Sequence, residues 1–184
     1  MNVFETPIAG ALLIEPKVLG DHRGFFMEMH QAKRYAEHGI PAFVQDNLSR
    51  SSRGVLRGLH FQNPRPQGKL VTALRGSILD VAVDVRAGSP TFGKHLAYEL
   101  NDENRRQLWL PRGLAHGFVV RSETVDFFYK CDDIYSPQDE VVLAWNDPQL
   151  RIAWDCDAPK ISARDSTGRT LSQLDGLLPR YEPA

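Results

Sequence analysis

The sequence is poor in several features that would point to particular classes of protein. It holds only two cysteines, Cys131 and Cys156, too far apart for a Cys-x-x-Cys redox or zinc pair, so we expect free thiols. The apolar run at 8–14 is too short to cross a bilayer and lacks the basic start of a signal peptide. We therefore expect a cytoplasmic protein with no membrane partner.

The charged residues are balanced, which argues against a nucleic-acid partner. The 22 Lys and Arg residues nearly cancel the 23 Asp and Glu residues, for a formal net charge of −1, whereas nucleic-acid-binding domains carry a basic excess. Hydrophobic residues at 42% and charged residues at 24% are ordinary for a globular chain. We expect small-molecule ligands.

Neither internal repeats nor a low-complexity linker divides the 184 residues, so we expect one domain over 1–184. Only 31–38 and 170–175 have helical character. Many short strands with few helices predict an all-β fold, a cupin-like antiparallel jelly-roll barrel or sandwich, with an N-terminal strand extension and a short C-terminal helical segment. Alternating or β-branched runs predict strands at 11–18, 24–29, 55–61, 70–74, 78–85, 95–100, 107–110, 117–121, 125–131 and 141–145.

The segment GVLRGLHFQ (54–62) carries glycine and polar residues inside a predicted strand. Alternation places Gly58, His60 and Gln62 on one face and Arg57 on the other. A lone histidine in such a place is commonly a half-buried residue bonded to a backbone carbonyl. Gly58 weakens a strand and is useful where the strand bulges or a ligand approaches, which favours a pocket over His60.

A metal site has to be considered, because jelly-roll barrels often hold iron, manganese or zinc with a His-x-His pair, a carboxylate and a later histidine. The corresponding triplet here is His60-Phe61-Gln62. Glutamine is a poor ligand for these ions, which leaves His60 and His116 as too small a set. We predict no metal and no other cofactor.

Four other residues stand out, although each has an ordinary structural explanation. Lys69 begins a predicted strand and His116 follows a Pro-x-Gly turn, which suits turn or surface positions. Tyr129 shares a strand face with apolar residues, as a core tyrosine would, and its hydroxyl needs a partner. The spacing of Asp165 suits a cap on the last helical turn better than a role in orienting a histidine.

A series of long sequence words resembles one family. The words are GDHRGFF (20–26), FVQDN (43–47), GVLRGLHFQ (54–62), QGKLV (67–71), LDVAVDVR (79–86), GSPTFG (88–93), ENRRQLWLPRGLAHGF (103–118), FFYKC (127–131), YSP (135–137) and WNDP (145–148). In this order they resemble the dTDP-4-dehydrorhamnose 3,5-epimerase family from about residue 14 to residue 165. The resemblance implies a metal-free, cupin-like homodimer that inverts C3 and C5 of a dTDP-4-keto-6-deoxy sugar on the way to dTDP-L-rhamnose.

The resemblance also implies roles for individual residues. His60 would be the general base, oriented by Asp165, with Tyr129 as the proton donor and Lys69 beside the C4 oxygen of the sugar. It further implies that the early strand carrying Arg23 and Glu28 can serve the pocket of the neighbouring subunit. The implied substrate-binding positions are Arg23, Phe26, Glu28, Gln45, Asp46, Asn47, Arg57, His116, Glu140 and Arg164.

Several points stay open at the level of sequence. Alternation sends Arg57 and His60 to opposite faces while the resemblance sends both to one pocket, so we predict a bulge or kink at Gly58. Leu48 and Ile134 depart from the residues common in the family. Relatives that invert only C3 or only C5 share the same words. A metal-dependent oxygenase and a sugar-nucleotide-binding module without turnover are the rival classes.

Overall fold

The computed structural model describes residues 1–182 and consists mainly of short antiparallel strands. One α-helix, α1 (Ala32–Ala36), and three 3₁₀ helices (Pro137–Asp139, Asp165–Thr167 and Leu171–Leu174) are the helical elements of this part of the chain. No helix within residues 1–182 combines the length and hydropathy needed to span a membrane. The strands are β1 (Asn2–Glu5), β2 (Leu12–Glu15), β3 (Val18–Asp21), β4 (Gly24–Met27), β5 (Gln45–Ser52), β6 (Leu56–Gln62), β7 (Lys69–Arg75), β8 (Ser77–Asp84), β9 (His95–Asn101), β10 (Gln107–Leu110), β11 (Leu114–Val120), β12 (Thr124–Cys131) and β13 (Glu140–Val142).

The strands form two large antiparallel sheets and a separate hairpin. The six-stranded sheet has the order β1-β2-β10-β7-β12-β5, and the five-stranded sheet has the order β13-β6-β11-β8-β9. Strands that follow one another in the chain, such as β7 and β8, repeatedly lie in different sheets, as in a jelly roll. The sheets stay open at their edges. The predicted all-β, cupin-like fold is therefore confirmed, as a sandwich rather than a closed barrel.

The two sheets pack face to face over an apolar core. Ile78 and Ala82 of β8 pack in this core with Leu108 and Phe127 of the opposite sheet. Alternate residues of β8, such as Val81, pack instead against apolar side chains of the C-terminal segment on the outer face. Because β8 is buried on both faces, its sequence is an almost continuous apolar run.

The helix predicted at 31–38 is present in a shorter form. The Gln31 side chain accepts a hydrogen bond from the Arg34 amide at 2.6 Å and caps the start of α1. Gly39 follows the helix with a φ of 75°, the left-handed conformation that commonly ends helices. Tyr35 of α1 is 2% exposed and fixes the helix to the outer face of the six-stranded sheet.

Three strands lie wholly or mostly outside the predicted ranges, and one residue was misplaced. β3 shares only Val18 with the strand predicted at 11–18. β5 has the sequence QDNLSRSS, which is poor in β-formers, yet it pairs with β12 from Ser52 to Gln45 because tertiary pairing outweighs local preference. β1 pairs with β2 at the sheet edge. The prediction of a turn or surface position for His116 was wrong: it lies in β11 and is 7% exposed.

Candidate active site

A bulge in β6 determines which of its side chains face the interior of the sandwich. His116 of β11 pairs with His60, but Phe118 pairs with Arg57, so β6 has one residue more than β11 between these pairs. Gly58 lies in the bulge with a φ of 107°, and a Cβ atom there would meet the Gly117 Cα and the His116 carbonyl oxygen at 2.6 Å each. The predicted bulge at Gly58 is confirmed.

A cavity opens beside this bulge, between the two sheets. It has two adjoining lobes of about 520 and 330 Å³, and His60, Lys69 and Tyr129 line both of them. His60 comes from the five-stranded sheet, whereas Lys69 and Tyr129 come from neighbouring strands of the six-stranded sheet. Arg57 also lines the larger lobe, so the extra residue in β6 brings Arg57 and His60 to one cavity.

The His60 ring is held by a carboxylate from the C-terminal segment. Its Nε2 atom lies 2.6 Å from the Asp165 Oδ1 atom, and Asp165 is 4% exposed. Burial opposes ionisation of Asp165, but the hydrogen bond and charge of His60 outweigh it, so the pKa of Asp165 lies below its ordinary value. The Asp165 side chain makes no capping bond, so the favoured cap assignment was wrong.

Glu140 lies against the other ring nitrogen of His60. Its Oε1 atom is 3.4 Å from His60 Nδ1, while its Oε2 atom accepts hydrogen bonds from Tyr135 and Arg164. The Arg164 Nη1 atom also donates to the Tyr135 hydroxyl at 3.4 Å. Each nitrogen of the imidazole therefore faces one carboxylate.

Lys69 and Tyr129 are partly buried where they line the cavity. Burial lowers the pKa of the Lys69 ammonium below its ordinary value, against the opposing influence of Cys131, Glu140 and Asp80. Burial likewise raises the pKa of the Tyr129 phenol, so this group holds its proton over a wide pH range. The cavity thus offers a cation and a phenolic proton on one wall and an imidazole on the other.

His116 contributes a second histidine–carboxylate pair. Its Nε2 atom lies 2.9 Å from Oδ2 of Asp80, which is fully buried in β8. Burial raises the pKa of Asp80, and the interaction with His116 opposes this shift. Within residues 1–182 no set of three or more His, Cys, Asp or Glu side chains converges as a metal site would require, and the absence of a cofactor stays a prediction.

Comparison with known proteins relates this cavity to a family. The family model described as dTDP-4-dehydrorhamnose 3,5-epimerase matches residues 5–173. The chain belongs to this family. A dTDP-4-dehydrorhamnose 3,5-epimerase from Pseudomonas aeruginosa is 49% identical over 178 residues, which cover 95% of this chain and 98% of the relative.

Solved structures of related epimerases have the same fold. A dTDP-6-deoxy-D-glucose-3,5-epimerase from Legionella pneumophila, in complex with dTDP-4-keto-L-rhamnose, has a TM-score of 0.96 at 51% identity and covers 99% of each chain. A 3'-monoepimerase from Streptomyces bikiniensis, in complex with dTDP-quinovose, has a TM-score of 0.91 at 36% identity and covers 96% of this chain and 92% of its own.

Most of the positions implied by the epimerase resemblance meet in the cavity. Gln45 and Asn47 line its smaller lobe, and the Gln45 amide donates to Asn47 Oδ1 at 3.1 Å. Asp46 lies between them on the opposite face of β5, where it binds the Lys130 ammonium at 2.6 Å. The remaining lining residues from the predicted set are Arg57, His60, Lys69, His116, Tyr129, Glu140, Arg164 and Asp165.

Besides Asp46, three of the implied epimerase positions do not reach the cavity of their own chain. Arg23 forms an ion pair with Asp21 in the exposed β3–β4 hairpin, and Phe26 in the same hairpin is 69% exposed. Glu28 pairs with Arg34 of α1. Within the described residues, β3 and β4 pair only with each other.

Sequence reasoning missed several residues of this epimerase cavity. Tyr135, which lines the smaller lobe, lies within the YSP word without an assigned role. Ser51 does not line the cavity but accepts a hydrogen bond from Arg57 Nε at 3.0 Å, and it lies in an unpredicted strand. Lys160 lines the mouth of the larger lobe without any sequence signal. Asp80 did carry a signal, because a carboxylate inside an apolar run requires a buried partner.

Proposed function

We propose that the protein inverts C3 and C5 of dTDP-4-dehydro-6-deoxy-D-glucose to give dTDP-4-dehydro-L-rhamnose, without a cofactor. The observation that carries the proposal is the arrangement of His60 and Tyr129, which line one cavity from opposite sheets. Proton removal on one side of a sugar ring and proton delivery on the other side invert a carbon. Membership of the epimerase family supports the same reaction.

Lys69 stabilises the intermediate in this proposal. Both carbons are adjacent to the C4 ketone, so loss of either proton gives an enolate whose negative charge collects on the C4 oxygen. An ammonium group in a site shielded from water stabilises such a charge strongly, by roughly 3–4 kcal/mol for one oxyanion donor. The burial of Lys69, which lowers its pKa, is the environment that this role requires.

His60 is the base and Tyr129 the acid. Because Asp165 occupies the Nε2 side of the ring, His60 takes the carbon-bound proton at Nδ1. The Asp165 carboxylate then stabilises the imidazolium that forms. The partly buried Tyr129 phenol, whose raised pKa keeps it protonated, supplies a proton to the enolate carbon from the other sheet.

The diphosphate of the substrate binds at the basic side of the larger lobe. Arg57 and Arg164 line this lobe, and the planar fork of arginine suits phosphate oxygens. Ser51 holds the Arg57 side chain in place through a hydrogen bond of 3.0 Å.

The working unit in this proposal is a homodimer in which the β3–β4 hairpin reaches the partner's cavity. The hairpin exposes Leu19, Phe25 and Phe26, which are 54%, 57% and 69% exposed, and large apolar residues of this kind mark interaction surfaces. Arg23 would then bind substrate in the neighbouring pocket. We also place the enzyme in the cytoplasm, where the free thiols of Cys131 and Cys156 would stay reduced.

Inversion at one carbon alone is the second candidate, because the 3'-monoepimerase from Streptomyces bikiniensis shares the fold. Incubation with dTDP-4-dehydro-6-deoxy-D-glucose in D₂O, followed by NMR, distinguishes the two. We expect deuterium at both C3 and C5, with the His60→Ala protein as the inactive control. Deuterium at one carbon alone would establish the second candidate, and its absence from both would overturn the proposed function.

A further inference from the structure

Inverting two carbons with one base creates a proton-balance problem. This inference rests on the proposed function. In the first inversion a C–H bond breaks, His60 Nδ1 gains the proton, and the Tyr129 O–H bond breaks to form a C–H bond on the opposite face. Afterwards His60 holds one proton too many and Tyr129 holds one too few. Before His60 acts on the second carbon, its extra proton has to leave.

We propose that Glu140 accepts this proton and so resets His60 between the two inversions. The Nδ1–H bond of the imidazolium breaks, Glu140 Oε1 gains the proton, and the carboxylic acid then releases it to water. A water molecule returns a proton to the Tyr129 oxygen, and the hydroxide that remains is neutralised by the proton that Glu140 releases. The sum of protons on the protein is unchanged, and no oxidant or further reactant is needed.

The geometry separates the two oxygens of Glu140 into two tasks. Oε2 accepts the bonds from Tyr135 and Arg164, which fix the side chain. Oε1 is left facing His60 Nδ1 at 3.4 Å. This distance is slightly longer than an ordinary hydrogen bond of about 2.7–3.2 Å, so a small rotation closes it. The same nitrogen can therefore face the sugar carbon in one step and Glu140 in the next.

Asp165 is poorly suited to the same task. It is 4% exposed and bonded to the nitrogen of His60 that faces away from Glu140. Glu140 instead lies next to two residues that reach solvent, because Tyr135 is 41% exposed and the Arg164 side chain is 49% exposed. The Glu140 side chain is itself only 7% exposed, close to the 4% of Asp165, so the difference lies in its neighbours. A proton on Glu140 is one contact away from the exposed Tyr135 and Arg164 side chains.

Glu140→Gln tests the proposal, because the amide retains the shape and polar contacts of the side chain but cannot accept a proton. In D₂O we expect the ratio of singly to doubly deuterated product to rise about tenfold or more, in line with loss of a general base. A small proton acceptor, formate or imidazole, should reverse this change in proportion to its concentration. Such rescue would not follow from a purely structural role.

Three further proteins make the result decisive. Glu140→Asp retains an acid and should keep a ratio near that of the unchanged protein, even if it turns over more slowly. Tyr135→Phe removes a contact to Glu140 but not the carboxylate, so added formate should not rescue it. Glu15→Gln, an equal change beside Arg106 and outside the cavity, should leave the ratio unchanged.

Two results would overturn the proposal. One is a Glu140→Gln protein with an unchanged product ratio. The other is a Glu140→Gln protein that incorporates less deuterium at C3 and at C5 to the same extent, has a raised KM, and is not rescued by formate or imidazole. That result would make Glu140 a substrate-binding residue only. Failure of the proposed function would look different, because the unchanged protein would then incorporate deuterium at fewer than two carbons.

Discussion

His60 and Asp165 are separated by 105 positions in the chain, and their side chains meet at 2.6 Å in the cavity. The first lies in a strand of the sandwich and the second in a short helix packed at its edge. Asp165→Asn should retain the shape of the pair but lose the charge that stabilises the imidazolium. We expect kcat to fall roughly 10²–10⁴-fold, measured by initial rates. A loss below about threefold would contradict the dyad; Asp155→Asn, on the exposed surface, is the control.

His60 and Tyr129 should fail in different ways when they are replaced. His60→Ala removes the base, so hydrogen exchange with solvent should stop at both carbons. Tyr129→Phe removes only the donor, so some proton abstraction and return through His60 should persist without inversion. NMR of the recovered substrate in D₂O measures both rates. Equal loss of exchange in the two proteins would refute the separate roles.

The alkaline limit of activity should depend on Lys69. Burial lowers the pKa of this ammonium, so its charge is lost as pH rises through a value below the ordinary 10.5. We expect kcat to fall over the same range, while Lys69→Met should reduce it about 10²–10³-fold at neutral pH. A kcat profile that stays flat up to pH 10.5 would contradict this role.

Gly58→Ala should disrupt both stability and activity. The new methyl group would lie 2.6 Å from two backbone atoms of β11, in a residue whose φ is 107°. We expect the free energy of unfolding to fall by about 3 kcal/mol or more. Gly54→Ala separates the cost of the close contact from the cost of the φ angle, because Gly54 has a φ of 77° but an added Cβ atom there would meet no atom within 4 Å. This variant should lose only about 1 kcal/mol. Chemical denaturation measures both, and equal losses would contradict the close approach.

Subunit mixing tests whether Arg23 acts in the partner's cavity. When Arg23→Ala and His60→Ala proteins are refolded together, each mixed dimer would hold one pocket with both residues intact. Since half of the dimers are mixed, about a quarter of all pockets should recover activity. If Arg23 acts within its own subunit, every pocket lacks one residue and the mixture stays inactive. Titration with the unchanged protein calibrates the assay.

Much of this architecture can be predicted from the sequence, but some strands are predicted far better than others. Strands with clear apolar patterns, such as β8 and β12, lie close to their predicted positions, because their alternation or burial is written in the residue types. β5 could not be predicted, since its polar sequence becomes a strand only through pairing with β12.

The cavity likewise has features that the sequence predicts and features that it does not. The bulge at Gly58 followed from a conflict between strand alternation and family resemblance, and it is present. Glu140 was expected only to bind substrate, because its position against His60 Nδ1 depends on how β13 pairs with β6, with Val142 opposite His60. Contacts of this kind depend on tertiary structure, and local residue patterns do not encode them.

Lys69 and Tyr129 lie on one sheet and His60 lies on the other. The distance between the two sheets therefore sets the distance between these catalytic groups. Side chains such as Phe118 and Phe127, whose rings are 4.4 Å apart, pack between the sheets. They hold the sheets at the separation that a bound sugar ring requires. Replacing one of these residues with a smaller one would change the separation of the sheets while the chain still folds. Substitutions deep in the interior should therefore alter turnover without touching any group that handles a proton.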